Sequence, residues 1–397
     1  MPSRTLLVDL TPLDTPTRHR GNGRYLRELA LGLAAIPTAE LGGLRLLALT
    51  HLEADGRCSV TDDLAAFGGT PCLSAPGPRD HYRWAYARRF GLWRATRRLG
   101  VHGVHLGDPN AKPLMMRLSG CKTIVTCHDM IPLVYPERYL GWKDGGPMVG
   151  RLIERRRYRS ATRVVAISEA TRHDLERFVG LPHDRVSLVY NGIDVAGWAA
   201  PPARPATDVL ARLGLGERPF VLAIGAADWH KNPEGAVAGL AAARRSGLDV
   251  ELAWAGRLRP DHVATLDAAA RAHGIYGRVR RLGFVDDGDL AVLLREALAH
   301  LLVSHCEGFG LTVVEAMAAG CAVITTRGGS LAEVAGDAAL TVDPDDYEAI
   351  GAAIGSLARE PSVREQLVAR GRARAPQFSR EAQARAMIAV YRDVVGA

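Results

Sequence analysis

Short apolar runs and helical stripes alternate along the whole chain. Thr5–Asp9, Leu44–Thr50, Val101–Leu106, Thr123–Cys127, Arg163–Ser168 and Val186–Tyr190 are apolar runs too short for helices. Runs of that length bounded by turn residues predict buried strands. Between them apolar residues recur at helical spacing, as at Leu26, Leu29, Ala30, Leu33 and Ile36. A second series starts at Phe220–Ile224 and continues with Val250–Trp254, Val279–Val285, Leu298–Val303, Ala322–Thr326 and Ala339–Val342. Each half thus predicts about six strands interleaved with helices, which calls for two parallel α/β domains. Residues 198–208, WAAPPARPATD, are Pro-rich and without periodicity, and mark a boundary. The expected division is a first domain over 1–197, a linker over 198–217, a second domain over 218–378 and a last helix over 379–397.

The chemistry concentrates in Ser304–Gly320, SHCEGFGLTVVEAMAAG. A strand ends at Val303, a glycine loop follows, and a helix runs from there to Gly320. A helix N-terminus presents unpaired N–H groups and a positive dipole end, which suits a phosphate or a hydroxyl oxygen. Glu307 falls on the loop, Gly308, Phe309, Gly310 and Leu311 lead into the helix, and Glu315 falls near the helix start, where a carboxylate can accept two sugar hydroxyls. Ser330 and Glu333 fit a capping box on the next helix. Two further strand–loop–helix junctions carry candidate groups. Gly21-Asn22-Gly23-Arg24 reads as a glycine loop after the first strand, characteristic of a Rossmann-like unit, and Arg24 is long enough to reach a phosphate. Lys231 stands between the strand Phe220–Ile224 and an Ala-rich helix, where an ammonium can pair with a diphosphate. His128 and Asp129 follow the strand ending at Cys127.

Glu307-Gly-Phe-Gly-Leu and Glu315-Ala-Met-Ala-Ala-Gly, with seven residues between the acids, resemble the E-x7-E signature of retaining glycosyltransferases with the GT-B architecture. The resemblance is to the large family four, of mannosyl-, glucosyl- and related transferases. It implies two Rossmann-like domains facing across a cleft and a C-terminal helix that crosses back to the first domain. It implies transfer of a mannose- or glucose-type hexose from a nucleotide-diphosphate sugar. Asn191-Gly-Ile-Asp194 resembles the family's exit into its interdomain linker. Lys231-Asn232 resembles the family's diphosphate-binding RKN, with His230 where the arginine stands. An imidazole is only partly protonated near neutral pH, so Lys231 carries more of the charge or Arg257 supplies the second one. By the same resemblance Glu307 lies near the transferred sugar, Glu315 holds the ribose, His128 faces the sugar, Gly23 and Arg24 approach the donor phosphates, and the backbone around Phe284 lies beside the base. No metal and no resident cofactor are implied; the sugar nucleotide enters as co-substrate.

Composition narrows this little. The chain has 397 residues, a net charge of +7 and 47% hydrophobic residues. The charge suits an anionic ligand or an anionic surface and chooses neither. Six cysteines at 58, 72, 121, 127, 306 and 321 show no metal or CxxC spacing, as in a reduced, cytoplasmic protein. The first residues read as a start and a short strand rather than a signal peptide. Residues 81–100 and 151–163 are basic, the first with interleaved aromatics, and such segments either lie on the inner face of a membrane or present a solvated arginine face. No feature points to nucleic acid. The acceptor stays open among a glycan, a lipid-linked and a small-molecule substrate. Three alternatives are weighed: a UDP-sugar 2-epimerase or phosphorylase of the same architecture, a binding module without turnover, and a Rossmann dehydrogenase. The dehydrogenase would need GxGxxG directly after a strand and an acid about 20 residues on, which the chain lacks.

Overall fold

The computed structural model describes residues 4–14, 18, 21–52, 58–61, 91–108, 120–141 and 146–397. The chain forms two compact units, Met1–Ile193 with Ser379–Ala397, and Asp194–Phe378.

The first unit is built on strands β1 (Arg4–Asp9), β2 (Leu44–Leu52), β3 (Cys58–Thr61), β4 (Gly103–Leu106), β5 (Lys122–Cys127), β6 (Arg163–Ala166) and β7 (Val186–Leu188). Their order in the sheet is β3-β2-β1-β4-β5-β6-β7. Every pair is parallel except β2–β3. Both faces of a parallel sheet are covered by its crossovers, and Val104, Val125 and Val164 are accordingly wholly buried. The antiparallel edge strand β3 is not among the strands expected from the sequence, and it lies in a stretch, 51–80, rich in Gly, Pro and Asp. Its sequence CSVT does alternate apolar and polar, but four residues are too short a run to stand out from the turn residues around them. Residues 53–57 and 62–80 of that stretch, and 81–90 of the basic run, lie outside the described residues. The rest of the run forms a helix over 91–99, with Leu92 and Ala95 buried and Arg94, Arg97 and Arg98 exposed.

The Gly21-Asn22-Gly23 segment is not a loop. It is the first turn of the helix Gly21–Ala35, and Gly23 is buried there with Tyr25 and Leu26. The buried stripe continues one turn further back than its apolar residues show, because Gly23 contributes to it with no side chain.

The last helix, Arg380–Val395, packs on Gly21–Ala35 within this unit. The approach is close: a Cβ at Gly32 would stand 2.4 Å from the carbonyl oxygen of Arg380. The Arg380–Glu28 ion pair, 3.0 Å, flanks the contact. Tyr391 on the same helix joins a buried polar cluster through His105 Nδ1, 2.8 Å away.

The second unit is a six-stranded parallel sheet of β8 (Phe220–Ile224), β9 (Glu251–Ala255), β10 (Val279–Gly283), β11 (Ala299–Leu302), β12 (Val323–Thr326) and β13 (Ala339–Val342), in the order β10-β9-β8-β11-β12-β13. The boundary differs from the expected linker at 198–217. Residues 194–218 belong to this unit and contain the helices Val195–Ala199 and Ala206–Arg212. Long-range contacts hold them. The guanidinium of Arg295 donates to the carbonyls of Trp198, Ala199 and Ala200 at 2.9, 2.9 and 2.7 Å. Asp289, almost wholly buried, pairs with Arg204 at 2.6 Å and also with Arg212. Proline-rich composition marks the absence of periodicity, but cannot show these ties to residues far along the chain.

Candidate active site

In each sheet the strand order reverses beside the unit's first strand, between β1 and β4 and between β8 and β11. Loops diverge at such a point on the carboxyl side of the strands and leave a crevice for ligands. The candidate groups of the second unit follow β8 and β11, with Arg257 and Phe284 after β9 and β10. Those of the first follow β1 and β5.

After β8 the chain makes the turn Trp229–Lys231 and enters the helix Pro233–Arg245 through Asn232. Asn232 has φ 53°, the one positive φ among the described non-glycine residues. Asparagine tolerates this region because its short amide can bond locally. Its Oδ1 accepts from the Gly235 amide at 2.9 Å, capping the helix. Its Nδ2 donates to the carbonyls of Val303 and Pro344 at 3.1 and 2.7 Å. One buried amide therefore ties the β8 turn to the ends of β11 and β13. The His305 amide donates to the His230 carbonyl at 2.7 Å, and the Trp229 and His305 rings stack at 4.7 Å.

This joinery sets Lys231 Nζ 2.7 Å from Glu307 Oε1, across 76 residues of sequence. Ser304 Oγ donates to the same carboxylate oxygen at 2.8 Å. Burial pushes the Glu307 carboxyl up. The Lys231 ammonium, the His230 imidazole and the hydrogen bonds from Lys231 and Ser304 outweigh it and hold the group below its ordinary value. Behind them His300 on β11 is fully buried, its Nδ1 2.9 Å from the Leu222 carbonyl and its Nε2 3.0 Å from Thr312 Oγ1. Burial holds it down to about 4, so at neutral pH it adds no charge.

Gly308, Phe309 and Gly310 lead into the helix Leu311–Ala319. Gly310 has φ 96° at the N-cap, a conformation L side chains avoid. No side chain caps this end. Phe309 is buried edge-on to Phe378, ring centroids 5.7 Å apart. Glu315 is the fifth residue of the helix, one turn further in than the helix start, and is 1% exposed. The Ser330–Glu333 capping box does not form. Ser330 caps without a side-chain bond to its helix, and its amide and hydroxyl both donate to the Glu307 carbonyl at 3.1 Å. The Arg257 guanidinium lies 4.8 Å over the exposed Phe284 ring, engaged there rather than with Glu307.

In the first unit, His128 Nε2 is 2.6 Å from the Gly107 carbonyl. A carbonyl only accepts, so Nε2 carries the hydrogen and Nδ1 is left as an acceptor. The His128 ring meets Tyr25 edge-on at 4.9 Å. Burial lowers its pKa, while the Gly107 bond and the charges of Asp108 and Asp129 pull the other way. Tyr25 and His105 converge on Thr126 Oγ1 at 2.9 and 2.8 Å, so the cluster reaches from the last helix to the His128 ring. Asp129 Oδ1 accepts from the Ile131 amide at 3.1 Å and fixes the turn after His128. Arg24 lies in the first turn of the helix that carries Tyr25.

Residues 210–374 match the family model of glycosyl transferases group 1, and residues 45–196 that of glycosyltransferase family 4. The alpha-maltose-1-phosphate synthase of Mycolicibacterium smegmatis is 30% identical over 302 residues, 70% of this chain and 74% of that protein. The chain belongs to the group 1 glycosyltransferases. The O-antigen chain mannosyltransferase B of Escherichia coli is 46% identical to this glycosyltransferase over 105 residues. That match spans 26% of the chain and only 28% of the relative's length. The Anabaena protein HepE, solved in complex with UDP and glucose, superposes over 98% of the chain and 100% of its own with a TM-score of 0.72 at 16% identity, a likeness of fold. That fold is GT-B, with a Rossmann-like sheet in each unit and the C-terminal helix on the first.

Of the residues expected at this glycosyltransferase's site, the second unit gathers His230, Lys231, Glu307 and the 308–311 loop. Arg257 and Phe284 pair with each other beyond β9 and β10. In the first unit Gly23 and Arg24 lie in the first turn of the helix whose Tyr25 meets the His128 ring. Ser304, His300 and Ser330 were not among the expected site residues, and Asn232 was expected only beside Lys231, not as the amide that joins the loops. For that cap a signal existed, since Asn before Pro at a helix start is an N-cap pattern.

Proposed function

We propose that this glycosyltransferase moves a mannose- or glucose-type hexose from a nucleotide-diphosphate sugar to a glycan, lipid-linked or small-molecule acceptor, with retention at the anomeric carbon. The observation that carries the reading is the Lys231–Glu307 pair at 2.7 Å beside an uncapped helix N-terminus. It sets a cation and the positive dipole end of a helix next to one carboxylate, the set needed where a diphosphate departs from a sugar. Lys231 and His230 would take the diphosphate charge as the bond from C1 to the phosphate oxygen breaks. The bond from C1 to the acceptor oxygen forms on the same face, and the acceptor's proton passes to the departing phosphate. Glu307 would sit by the sugar as nucleophile or as support for positive charge at C1. His128 Nδ1 would accept a hydroxyl of the sugar or of the acceptor. Glu315 would hold the ribose from beneath the loop, since it is nearly closed to solvent. Family membership, a hexose-transferring relative and a similar fold holding UDP and glucose support this reading.

The test is a thermal-shift panel of GDP-, UDP-, dTDP- and ADP-sugars against the protein and Lys231→Ala, followed by product analysis. A shift for one nucleotide class, lost in Lys231→Ala, is expected. No shift for any sugar nucleotide refutes the reading. Turnover without an acceptor would replace transfer by epimerisation, a requirement for inorganic phosphate would replace it by phosphorolysis, and binding without turnover would leave a binding module.

A further inference from the structure

Among the described residues the exposed large hydrophobics are Met148, Val149, Leu152, Tyr276 and Phe284. Three of these five sit on the helix Gly146–Arg159, with Met148 83%, Leu152 55% and Val149 42% exposed. The helix buries Gly150 and Tyr158 on its inner side. At about 100° per residue, Met148 and Leu152 fall within about 40° of each other on the opposite side. Arg155 and Arg156 flank this ridge and Arg151 lies beside Arg155, all exposed. The other two arginines are occupied. Arg157 pairs with Glu154 at 2.5 Å, and Arg159 donates to the carbonyls of Val179 and Gly180 at 2.8 and 3.2 Å. Glu154 is the helix's one acidic residue.

An apolar ridge edged by guanidinium groups fits an interface that is oily in the middle and anionic at its rim. At a bilayer surface the ridge enters the acyl boundary, while arginine stems lie along it and their heads stay with the phosphates. A protein partner would have to supply buried carboxylates for three guanidiniums around one apolar contact. The helix over 91–99 lacks the ridge: it has exposed arginines, but its apolar side faces the core. Among the described residues no helix is long and apolar enough to cross a membrane, so the contact is peripheral.

We infer that the outer face of Gly146–Arg159 is a docking surface for a bilayer leaflet with anionic headgroups. Met148 and Leu152 enter the acyl boundary, and Arg151, Arg155 and Arg156 meet the headgroup phosphates. Docking is independent of catalysis. That it brings the enzyme to a lipid-borne acceptor rests on the transfer reading above.

The experiment is co-sedimentation of the full chain with vesicles of phosphatidylcholine alone and of phosphatidylcholine with phosphatidylglycerol. Binding to the anionic vesicles, weakened by salt, is expected. Arg155→Ala/Arg156→Ala should weaken it roughly 10- to 30-fold, and Met148→Ser/Leu152→Ser about tenfold or more. Both variants should keep the wild-type thermal midpoint and sugar-nucleotide shift, which separates failure of docking from failure of the transfer reading. Equal binding to neutral vesicles, no binding by the wild type, or undiminished binding by either folded variant overturns the inference. Self-association abolished by Met148→Ser/Leu152→Ser, with no vesicle binding, overturns it in favour of a second copy as the occupant.

Discussion

Lys231→Met leaves the Glu307 carboxylate without its cation and keeps most of the side chain's length. At 2.7 Å the attraction is about 6 kcal/mol gross at an effective dielectric of about 20. Desolvation offsets much of it, and both groups keep some contact with water, with side chains 22% and 12% exposed. The net coupling should therefore fall at about 1–3 kcal/mol, above a surface pair and below a fully buried one. A double-mutant cycle of Lys231→Met, Glu307→Gln and the pair measures it. Urea unfolding is read by tryptophan fluorescence, since Trp229 and Trp254 report on the second unit. Each single variant should lose stability, and the double variant should lose less than their sum. The pH dependence carries a second sign. Folded Glu307 ionises below its ordinary value, so its contribution is present at neutral pH and lost as pH falls through the folded pKa. In Lys231→Met burial gains weight and the folded pKa rises toward or past the ordinary value, so the loss of stability on acidification should shrink or reverse. Additive single variants, or an unmoved acid limb, would refute the claim that Lys231 and Glu307 act as one charged pair.

His105 and His300 are buried, held by burial down to about 3 and about 4. An unfolded chain protonates them near 6.5 and the folded one does not, so stability should fall with pH from that value downward, by about 1.4 kcal/mol in each unit between about pH 7.5 and about pH 5.5; unfolding free energies flat across that window would sink the assignment of neutral buried imidazoles. Gly310→Ala places a Cβ at φ 96° and 2.8 Å from Leu331 Cδ2, and should cost about 1–2 kcal/mol and weaken sugar-nucleotide binding; wild-type stability and affinity would show the loop does not depend on that backbone. If side chains and N–H groups meet the diphosphate charge, transfer should survive excess EDTA, and activity that is lost and then restored by a divalent cation would overturn that part of the proposal.

What the chain determined by itself is what depends on near neighbours. Burial on both faces of a parallel strand needs a short apolar run, and a helix against a sheet needs a stripe, so the alternation and the helix ending at Gly320 were legible residue by residue. So was Gly310, because a strand-to-helix turn needs a backbone that only glycine adopts without strain. Glu307, His230 and Lys231 were legible as candidates because each follows a strand. Their meeting was not. It depends on β8 and β11 lying side by side, and on one asparagine amide reaching two carbonyls from other loops. Tertiary contacts also turned the Gly21–Gly23 segment into a helix start, drew residues 194–218 onto the second unit through Asp289 and Arg295, gave the Ser330 hydroxyl to Glu307 instead of its own helix, and closed Glu315 off from solvent. Hydrogen bonds and ion pairs between residues far apart in sequence leave no periodic trace, because each is satisfied by a partner whose place only the folded sheet defines.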